Sequence, residues 1–139
     1  MTTQIDTVLY TGKTHVTGGR DGSARSSDGR LDVKLTPPGA QGNGTNPEQM
    51  LAAGWSACFI GAMTKAAAKF QTRLPADTSV DAEVDLGTAD GAYFLRARLN
   101  VTLPGIERDM AEKIAALAHQ TCPYSKALTG NIDITITVL

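Results

Sequence analysis

Apolar residues run almost without interruption through residues 46–70, NPEQMLAAGWSACFIGAMTKAAAKF, and this stretch predicts the longest helix of the chain. Asn46 is a favoured N-cap residue, Pro47 suits the first helical position, and Gln49 stands where a capping box places Glu or Gln. Polar side chains are rare between this cap and Thr64, and the apolar ones point in several directions. The pattern therefore predicts a helix that is buried on most of its sides.

Two strictly alternating segments follow and predict a β-hairpin. In the first segment the polar positions are Ser79, Asp81, Glu83 and Asp85. In the second they are Arg96, Arg98, Asn100 and Thr102. The acidic face of one strand is expected to meet the basic face of the other, which contributes about 0.2–1 kcal/mol for each cross-strand pair. A turn is predicted within residues 88–92, between the two strands.

Weaker patterns predict strands before the helix. Residues 5–16 have strand character, although their alternation is imperfect. Asp28-Gly29 is a strong hairpin-turn signal. Residues 31–35 alternate apolar and polar side chains, as a half-buried strand does. These segments predict a small meander of three strands ahead of the helix.

The end of the chain predicts one more helix and one more strand. Residues 107–121 have acidic side chains early and an apolar face, and Cys122-Pro123 is expected to end this second helix. Residues 132–138 alternate as a strand. The order is three strands, helix, two strands, helix and strand. This order predicts an α+β fold with antiparallel sheets, because helices do not alternate with single strands.

Composition places few further limits on the protein. The 139 residues, of 14.6 kDa, predict one domain over residues 1–139 with a real core. A net charge of -1 provides no electrostatic reason to expect nucleic acid or an anionic membrane as a partner. The start, MTTQIDTVLYTGK, lacks the basic lead and apolar run of a signal peptide, and the long helix carries too many polar residues for a membrane span. We therefore expect a cytoplasmic protein.

Two cysteines are the main candidates for chemistry. Cys58 lies near the middle of the long predicted helix and Cys122 at the end of the second. A free cysteine most often packs as a small hydrophobic residue, and a disulfide would need the two Cα atoms about 4.4–6.8 Å apart. From the residues alone, the cysteines could either pack as small hydrophobic residues or form a disulfide, and both interpretations stay open. The chain has no Cys-x-x-Cys motif, and the cysteines with His15 and His119 match no zinc-binding spacing.

A reactive Cys58 needs a cation beside it. A thiol on an apolar helix has a raised pKa, and the thiolate is the nucleophile. Arg20 is the candidate cation, because it stands between glycines in GGRDG, although a solvated arginine on a turn would explain the same pattern. Glu48 is explained by the dipole of the helix whose first turn it occupies, and a carboxylate there could also bind an arginine in a bidentate pair.

Five separated motifs stand out along the chain: GGRDG at 18–22, GTNPEQ at 44–49, AAGWSACF at 52–59, CPYS at 122–125 and GNID at 130–133. Together they resemble those of the organic hydroperoxide resistance proteins, a branch of the larger family shared with the osmotically inducible proteins. The resemblance runs from about Tyr10 to the C-terminus, with the motifs in the family's order and spacing. It implies an OsmC-like α+β fold, an intertwined homodimer and no bound cofactor.

The resemblance also implies an activity and the residues that perform it. It implies a thiol-dependent peroxidase for organic hydroperoxides, including those of fatty acids, re-reduced by a lipoyl-type dithiol on a partner protein. Cys58 matches the peroxidatic cysteine and Cys122 the resolving cysteine. Arg20 matches the arginine that holds the thiolate, and Glu48 the carboxylate that orients this arginine. The alternatives are a peroxidase of the osmotically inducible branch with another peroxide preference, a non-catalytic lipid- or small-molecule-binding module, and a structural dimerisation domain.

Helix geometry restricts how Glu48 can act on Cys58. The two residues are ten positions apart, which is about 15 Å along a helix, and their side chains point about 80° apart. They cannot share a site on one straight helix. Either the helix breaks between them, or Glu48, alone or together with Arg20, reaches the cysteines of a second subunit. We expect the second arrangement.

Overall fold

The computed structural model describes residues 2–139 of the chain, in two compact units divided between Pro47 and Glu48. The first unit holds a three-stranded antiparallel sheet in the order β1-β2-β3. Its strands are β1 Thr14–Thr17, β2 Ser23–Ser26 and β3 Asp32–Lys34. The predicted hairpin around Asp28-Gly29 is confirmed, because β2 and β3 pair across this turn and Gly29 has a φ of 75°. The assignment of residues 1–139 to one domain remains a prediction.

The strand predicted over residues 5–16 is much shorter in the structure. Only its last residues belong to β1, which pairs with β2 from Thr14 to Thr17. The apolar side chains before it are exposed, with Leu9 at 93% and Tyr10 at 80%. A strand needs a hydrogen-bonded neighbour, and β2 is long enough to pair with four residues only. The residues before Thr14 therefore have no neighbouring strand within this unit to pair with, although their side chains favour a strand.

The second unit contains three helices and a three-stranded sheet in the order β4-β5-β6. The elements are α1 Pro47–Lys69, β4 Ser79–Ala89, β5 Ala92–Thr102, α2 Arg108–Thr121, α3 Pro123–Leu128 and β6 Asp133–Val138. The α+β class and both long helices are thus confirmed. Among residues 2–139, none of the helices combines the length and the apolarity that crossing a bilayer requires.

The predicted hairpin has the expected register. Its cross-strand pairs include Asp81 with Asn100, Glu83 with Arg98 and Asp85 with Arg96. The Arg98 guanidinium also binds both carboxylate oxygens of Asp85, at 2.8 and 2.9 Å. Together with Arg96 it holds the pKa of the Asp85 carboxyl well below its usual range. The predicted turn narrows to Asp90-Gly91, a two-residue connection with φ of 50° and 78°.

The expectation of antiparallel sheets is wrong for the last strand. β6 lies parallel to β5, with Ala97 opposite Ile134 and Leu99 opposite Ile136. Two helices, α2 and α3, connect these strands, and a parallel pair requires a long crossover connection of this kind. The sheet of the second unit is therefore mixed.

The long helix α1 is buried on one face rather than on most sides. The buried face carries Trp55, Phe59, Ala62, Met63, Ala66 and Ala67, which pack with Leu99, Val101 and Ile114 in the core. The opposite face carries Ala53, Ala57, Gly61, Thr64 and Ala68, all exposed in the single chain. The prediction that α1 is buried on most sides is therefore wrong for the single chain. Small apolar residues do not by themselves show which face of a helix the core covers.

Candidate active site

The structure brings the two cysteines into contact. The Sγ atoms of Cys58 and Cys122 lie 3.2 Å apart, within hydrogen-bonding distance of each other. Both cysteines are free thiols, Cys122 fully buried and Cys58 half-buried. Because a disulfide joins its sulfurs at about 2.05 Å, a small rotation of the side chains would allow the bond to form. The pair is thus a reduced dithiol that is placed for oxidation.

The environment of Cys58 disfavours its thiolate. Burial raises the pKa of the Cys58 thiol, a backbone hydrogen bond from Tyr124 lowers it, and the neighbouring Cys122 raises it again. The net pKa of Cys58 lies above that of an ordinary thiol. The groups immediately around the sulfur therefore favour the neutral form, and a reactive thiolate needs a further positive charge.

The short helix α3 positions Cys122 and the Tyr124 amide. Pro123 stands at its first position, where a missing N–H is no loss, so α3 begins directly after Cys122 ends α2. The indole N–H of Trp55 on α1 donates to the Ser125 hydroxyl over 3.0 Å, with both residues fully buried. This bond ties α3 to α1. Sequence reasoning missed α3, although Pro after Cys122 is also a helix-start signal.

Gly54 leaves room for the side chain of Tyr124 to lie against α1. A Cβ atom at this position would lie 2.8 Å from the Tyr124 hydroxyl oxygen, so a larger residue would push the tyrosine ring away. This contact explains why a small residue stands in the AAGWSACF motif at position 54, one helical turn before Cys58. It allows the residue that follows Cys122-Pro123 to lie against the helix that carries Cys58.

A cavity of about 440 Å³ opens beside Cys58. It is lined by Cys58, Gly61, Ala62, Lys65, Ala66 and Lys69 of α1, by Leu117 and Thr121 of α2, and by Pro123. Its volume falls within the range of about 300–1,000 Å³ that is typical of small-molecule sites. An organic molecule could therefore lie against the half-buried sulfur, while the fully buried Cys122 sulfur lies behind it.

Arg20 and Glu48, the other predicted site residues, lie in different units. Arg20 is on a 3-10 turn, Gly19–Asp21, and is exposed in the single chain. The turn needs its glycines: Gly18 and Gly19 have positive φ, and a Cβ at Gly22 would collide with a backbone carbonyl. Glu48 lies in the first turn of α1. Their roles at Cys58 remain predictions.

The helix does not break between Glu48 and Cys58, since α1 is continuous from Pro47 to Lys69. The first of the two arrangements considered for Glu48 is therefore excluded. Glu48 cannot contact Cys58 along this helix, so any action on Cys58 must be indirect or must involve another subunit.

Comparison with known proteins identifies a family and several relatives. The family model described as OsmC-like protein matches residues 40–137. The organic hydroperoxide resistance protein of Xanthomonas axonopodis pv. citri is 47% identical over 135 residues, which cover 94% of this chain and 95% of that protein. The organic hydroperoxide resistance protein OhrB of Bacillus subtilis is 37% identical over 131 residues, covering 91% of this chain and 95% of that protein.

Solved structures agree with the sequence comparison. The crystal structure of Bacillus subtilis OhrB superposes with a TM-score of 0.90 at 36% identity, covering 95% of this chain and 100% of that chain. The crystal structure of a putative organic hydroperoxide resistance protein from Vibrio cholerae, with captopril bound in one of the active sites, has a TM-score of 0.89 at 32% identity. It covers 97% of this chain and 95% of that one.

Proposed function

Because this chain belongs to the organic hydroperoxide resistance branch of the OsmC-like family, we propose that it reduces organic hydroperoxides with a cysteine thiolate. The observation that carries the proposal is the 3.2 Å contact between the Cys58 and Cys122 sulfurs beside an organic-sized cavity. Cys58 lines this cavity and is half-buried, whereas Cys122 is fully buried. Cys58 is therefore assigned as the peroxidatic cysteine and Cys122 as the resolving one.

The chemistry proceeds in three steps. The Cys58 thiolate attacks the distal peroxide oxygen, the O–O bond breaks, and the leaving alkoxide takes a proton and departs as the alcohol. This step leaves a sulfenic acid on Cys58. The Cys122 sulfur then attacks the Cys58 sulfur, an S–S bond forms and water leaves, which protects Cys58 from further oxidation. An external dithiol finally reduces the disulfide by thiol–disulfide exchange and is itself oxidised.

In this proposal Arg20 supplies the missing positive charge, and Glu48 is the carboxylate that holds this arginine in place. The raised pKa of Cys58 calls for a cation, and a guanidinium held by a carboxylate is suited to the role because it is always charged. The protein acts as a homodimer in which Glu48, with Arg20, serves the cysteines of the second subunit. The unbroken α1 supports this arrangement, as do the exposed small-residue face of α1 and the exposed apolar residues before β1.

The reductant is proposed to be a lipoyl-type dithiol on a partner protein. Such a dithiol attacks the Cys58–Cys122 disulfide and closes its own ring as it leaves, so both thiols are restored. A cytoplasmic location is part of the same proposal, because the disulfide has to be reduced after each turnover and a reducing compartment supplies the electrons.

The experiment that tests this function follows a single oxidation of the reduced protein. An alkyl hydroperoxide is mixed with it in a stopped-flow instrument, and mass spectrometry then detects the Cys58–Cys122 bond. We expect one alcohol for each disulfide formed, and faster oxidation by the alkyl hydroperoxide than by hydrogen peroxide, since the cavity wall is mostly apolar.

Cysteine variants divide the reaction into its steps. Cys58→Ser should consume no peroxide, while Cys122→Ser should react once and stop at a sulfenic acid that a sulfenic-acid reagent can trap. Peroxide consumption that survives in Cys58→Ser would contradict the proposal. Wild-type protein whose thiols resist the alkyl hydroperoxide would instead favour a binding module with inert cysteines.

A further inference from the structure

Two lysines line the cavity that contains Cys58, on the same side of the same helix. Lys65 and Lys69 follow Cys58 by seven and eleven positions. On α1 they therefore lie about 10 and 16 Å beyond Cys58 along the axis, and both point within about 20° of its direction. The cavity has a thiol towards one end and two ammonium groups towards the other.

Within Glu48–Leu139, the other residues that line the cavity carry no negative charge. Gly61, Ala62, Ala66, Leu117 and Pro123 are apolar, and Thr121 adds one hydroxyl. Within Glu48–Leu139, the ion pairs of the structure join Arg96, Arg98 and Arg108 to carboxylates and do not include either cavity lysine. The positive charge of the two lysines is therefore not neutralised within this unit.

The helix dipole explains only part of this arrangement. A cation is favourable in the last turn of α1, and Lys69 occupies that turn. Lys65 lies before the last turn, so the dipole does not account for it. Nor does the dipole explain why both lysines line the cavity of Cys58, when an exposed lysine could stand at other positions of the helix surface.

We propose that Lys65 and Lys69 form a carboxylate-binding subsite, so that the protein selects hydroperoxides that carry an anionic group. An acyl chain would lie along the apolar wall with its carboxylate at the lysines and its hydroperoxide at Cys58. The inference rests on the proposed function, because it concerns the substrate that Cys58 reduces. A fatty-acid hydroperoxide in its free-acid form has the required charge and length, whereas its methyl ester has the length alone.

The test compares three peroxides in a single oxidation of the reduced protein without any reductant. They are linoleic acid hydroperoxide, its methyl ester and tert-butyl hydroperoxide, each below the concentration at which it forms micelles. For the wild type we expect the free acid to react roughly tenfold faster than the ester, as two partly exposed ion pairs would produce. Higher ionic strength should reduce this advantage, because salt screens exposed charges.

The double variant Lys65→Met, Lys69→Met removes both charges and keeps apolar side chains of similar length. It should bring the ratio of the free-acid rate to the ester rate close to one, and this ratio is independent of any common change that the loss of two positive charges near Cys58 makes to all three rates. The matched control is Lys113→Met, Lys126→Met, which removes two exposed lysines that do not line the cavity. The control should keep the advantage of the free acid. Circular dichroism confirms that both double variants are folded.

The outcomes separate the subsite from the proposed function. If wild-type Cys58 is oxidised by all three peroxides but the ratio of acid to ester is the same in both double variants, the subsite is wrong and the peroxidase stands. If none of the peroxides oxidises Cys58, the proposed function fails, and the subsite fails with it. Because no reductant is present, a role of the lysines in binding the reducing partner would leave all three rates unchanged and would also overturn the subsite.

Discussion

At the scale of single residues, two effects oppose each other at the Cys58 sulfur. Burial and the adjacent Cys122 raise the pKa of the thiol, and the Tyr124 amide lowers it by a smaller amount. A raised pKa reduces the thiolate fraction at neutral pH and therefore the rate of peroxide attack. The same burial creates the apolar surface against which an organic peroxide can pack. The site therefore needs a cation that restores the thiolate without filling the cavity with water.

This balance predicts the pH dependence of an Arg20→Ala variant. If Arg20 stabilises the thiolate, its removal leaves the pKa of Cys58 raised, and the oxidation rate should climb with pH beyond the ordinary thiol pKa of about 8.5. At neutral pH the variant should react roughly 10- to 100-fold more slowly, since each unit of pKa is a factor of ten in thiolate. Stopped-flow rates and the ultraviolet absorbance of the thiolate, both measured against pH, provide the readout.

The control for this experiment is Arg25→Ala, which removes an exposed arginine of β2 that faces Asp32 at 3.9 Å. It should leave the pH profile unchanged. Identical profiles for Arg20→Ala and wild type would show that another group stabilises the thiolate.

At the scale of elements, the six residues of α3 determine how the dithiol is held. The helix follows Cys122 directly, and its Tyr124 amide contacts the Cys58 sulfur. Its buried link to α1 is the hydrogen bond from Trp55 to Ser125. Such a short helix has little stability of its own, so its position depends on these tertiary contacts.

We expect Ser125→Ala to loosen α3. The substitution leaves the Trp55 indole N–H buried without a partner, which should lower the free energy of unfolding by about 1–3 kcal/mol. Closure of the disulfide should slow, while the first attack of Cys58 on peroxide changes little. Denaturant unfolding of the reduced protein measures the first effect, and the second phase of stopped-flow oxidation measures the other.

A double-mutant cycle with Trp55→Phe isolates the hydrogen bond from other packing changes. The two substitutions should be less than additive, because either one alone breaks the same bond. Additive losses, or a Ser125→Ala protein as stable as wild type, would show that the bond does not hold α3 in place.

At the scale of the whole molecule, several apolar surfaces are exposed in the single chain. They include the small-residue face of α1 and the side chains of Ile5, Val8, Leu9 and Tyr10. Apolar side chains exposed in such numbers often mark an interface between proteins. The proposed homodimer would cover it and would account for strand propensity in residues 5–13, which belong to no strand of the single chain.

Sedimentation tests the homodimer and the role of α1 in it. Wild-type protein should sediment as a dimer at micromolar concentration, and Ala53→Glu should dissociate it, because an unpaired charge on the covered face is costly. Ala116→Glu places the same charge on an exposed position of α2 and is the control. A monomeric wild type would contradict the homodimer, and a dimeric Ala53→Glu protein would place the interface elsewhere.

The elements that sequence reasoning predicted best are those with local determinants. The hairpin of β4 and β5 follows from the alternation of apolar and polar side chains and from the short turn that joins the two strands. Asp81, Glu83 and Asp85 therefore lie opposite the expected partners. The bounds of α1 follow from Pro47 at its start, one residue after Asn46, and from the fall in apolar content near Lys69. Cys58 and Cys122 were identifiable as candidates from their residue type and from the motifs around them.

The features that only the tertiary structure could show involve residues that are far apart in the chain. The contact between Cys58 and Cys122 joins residues 64 positions apart, and the direction of β6 depends on the path of α2 and α3 rather than on its own side chains. The exposed face of α1 carries small residues such as Ala53, Ala57 and Gly61, which a core can also bury, so their presence alone did not show that the single chain leaves this face open. Local sequence thus determines which elements form and which side chains they carry. Packing between elements determines which of those side chains meet, because that depends on the path of the whole chain.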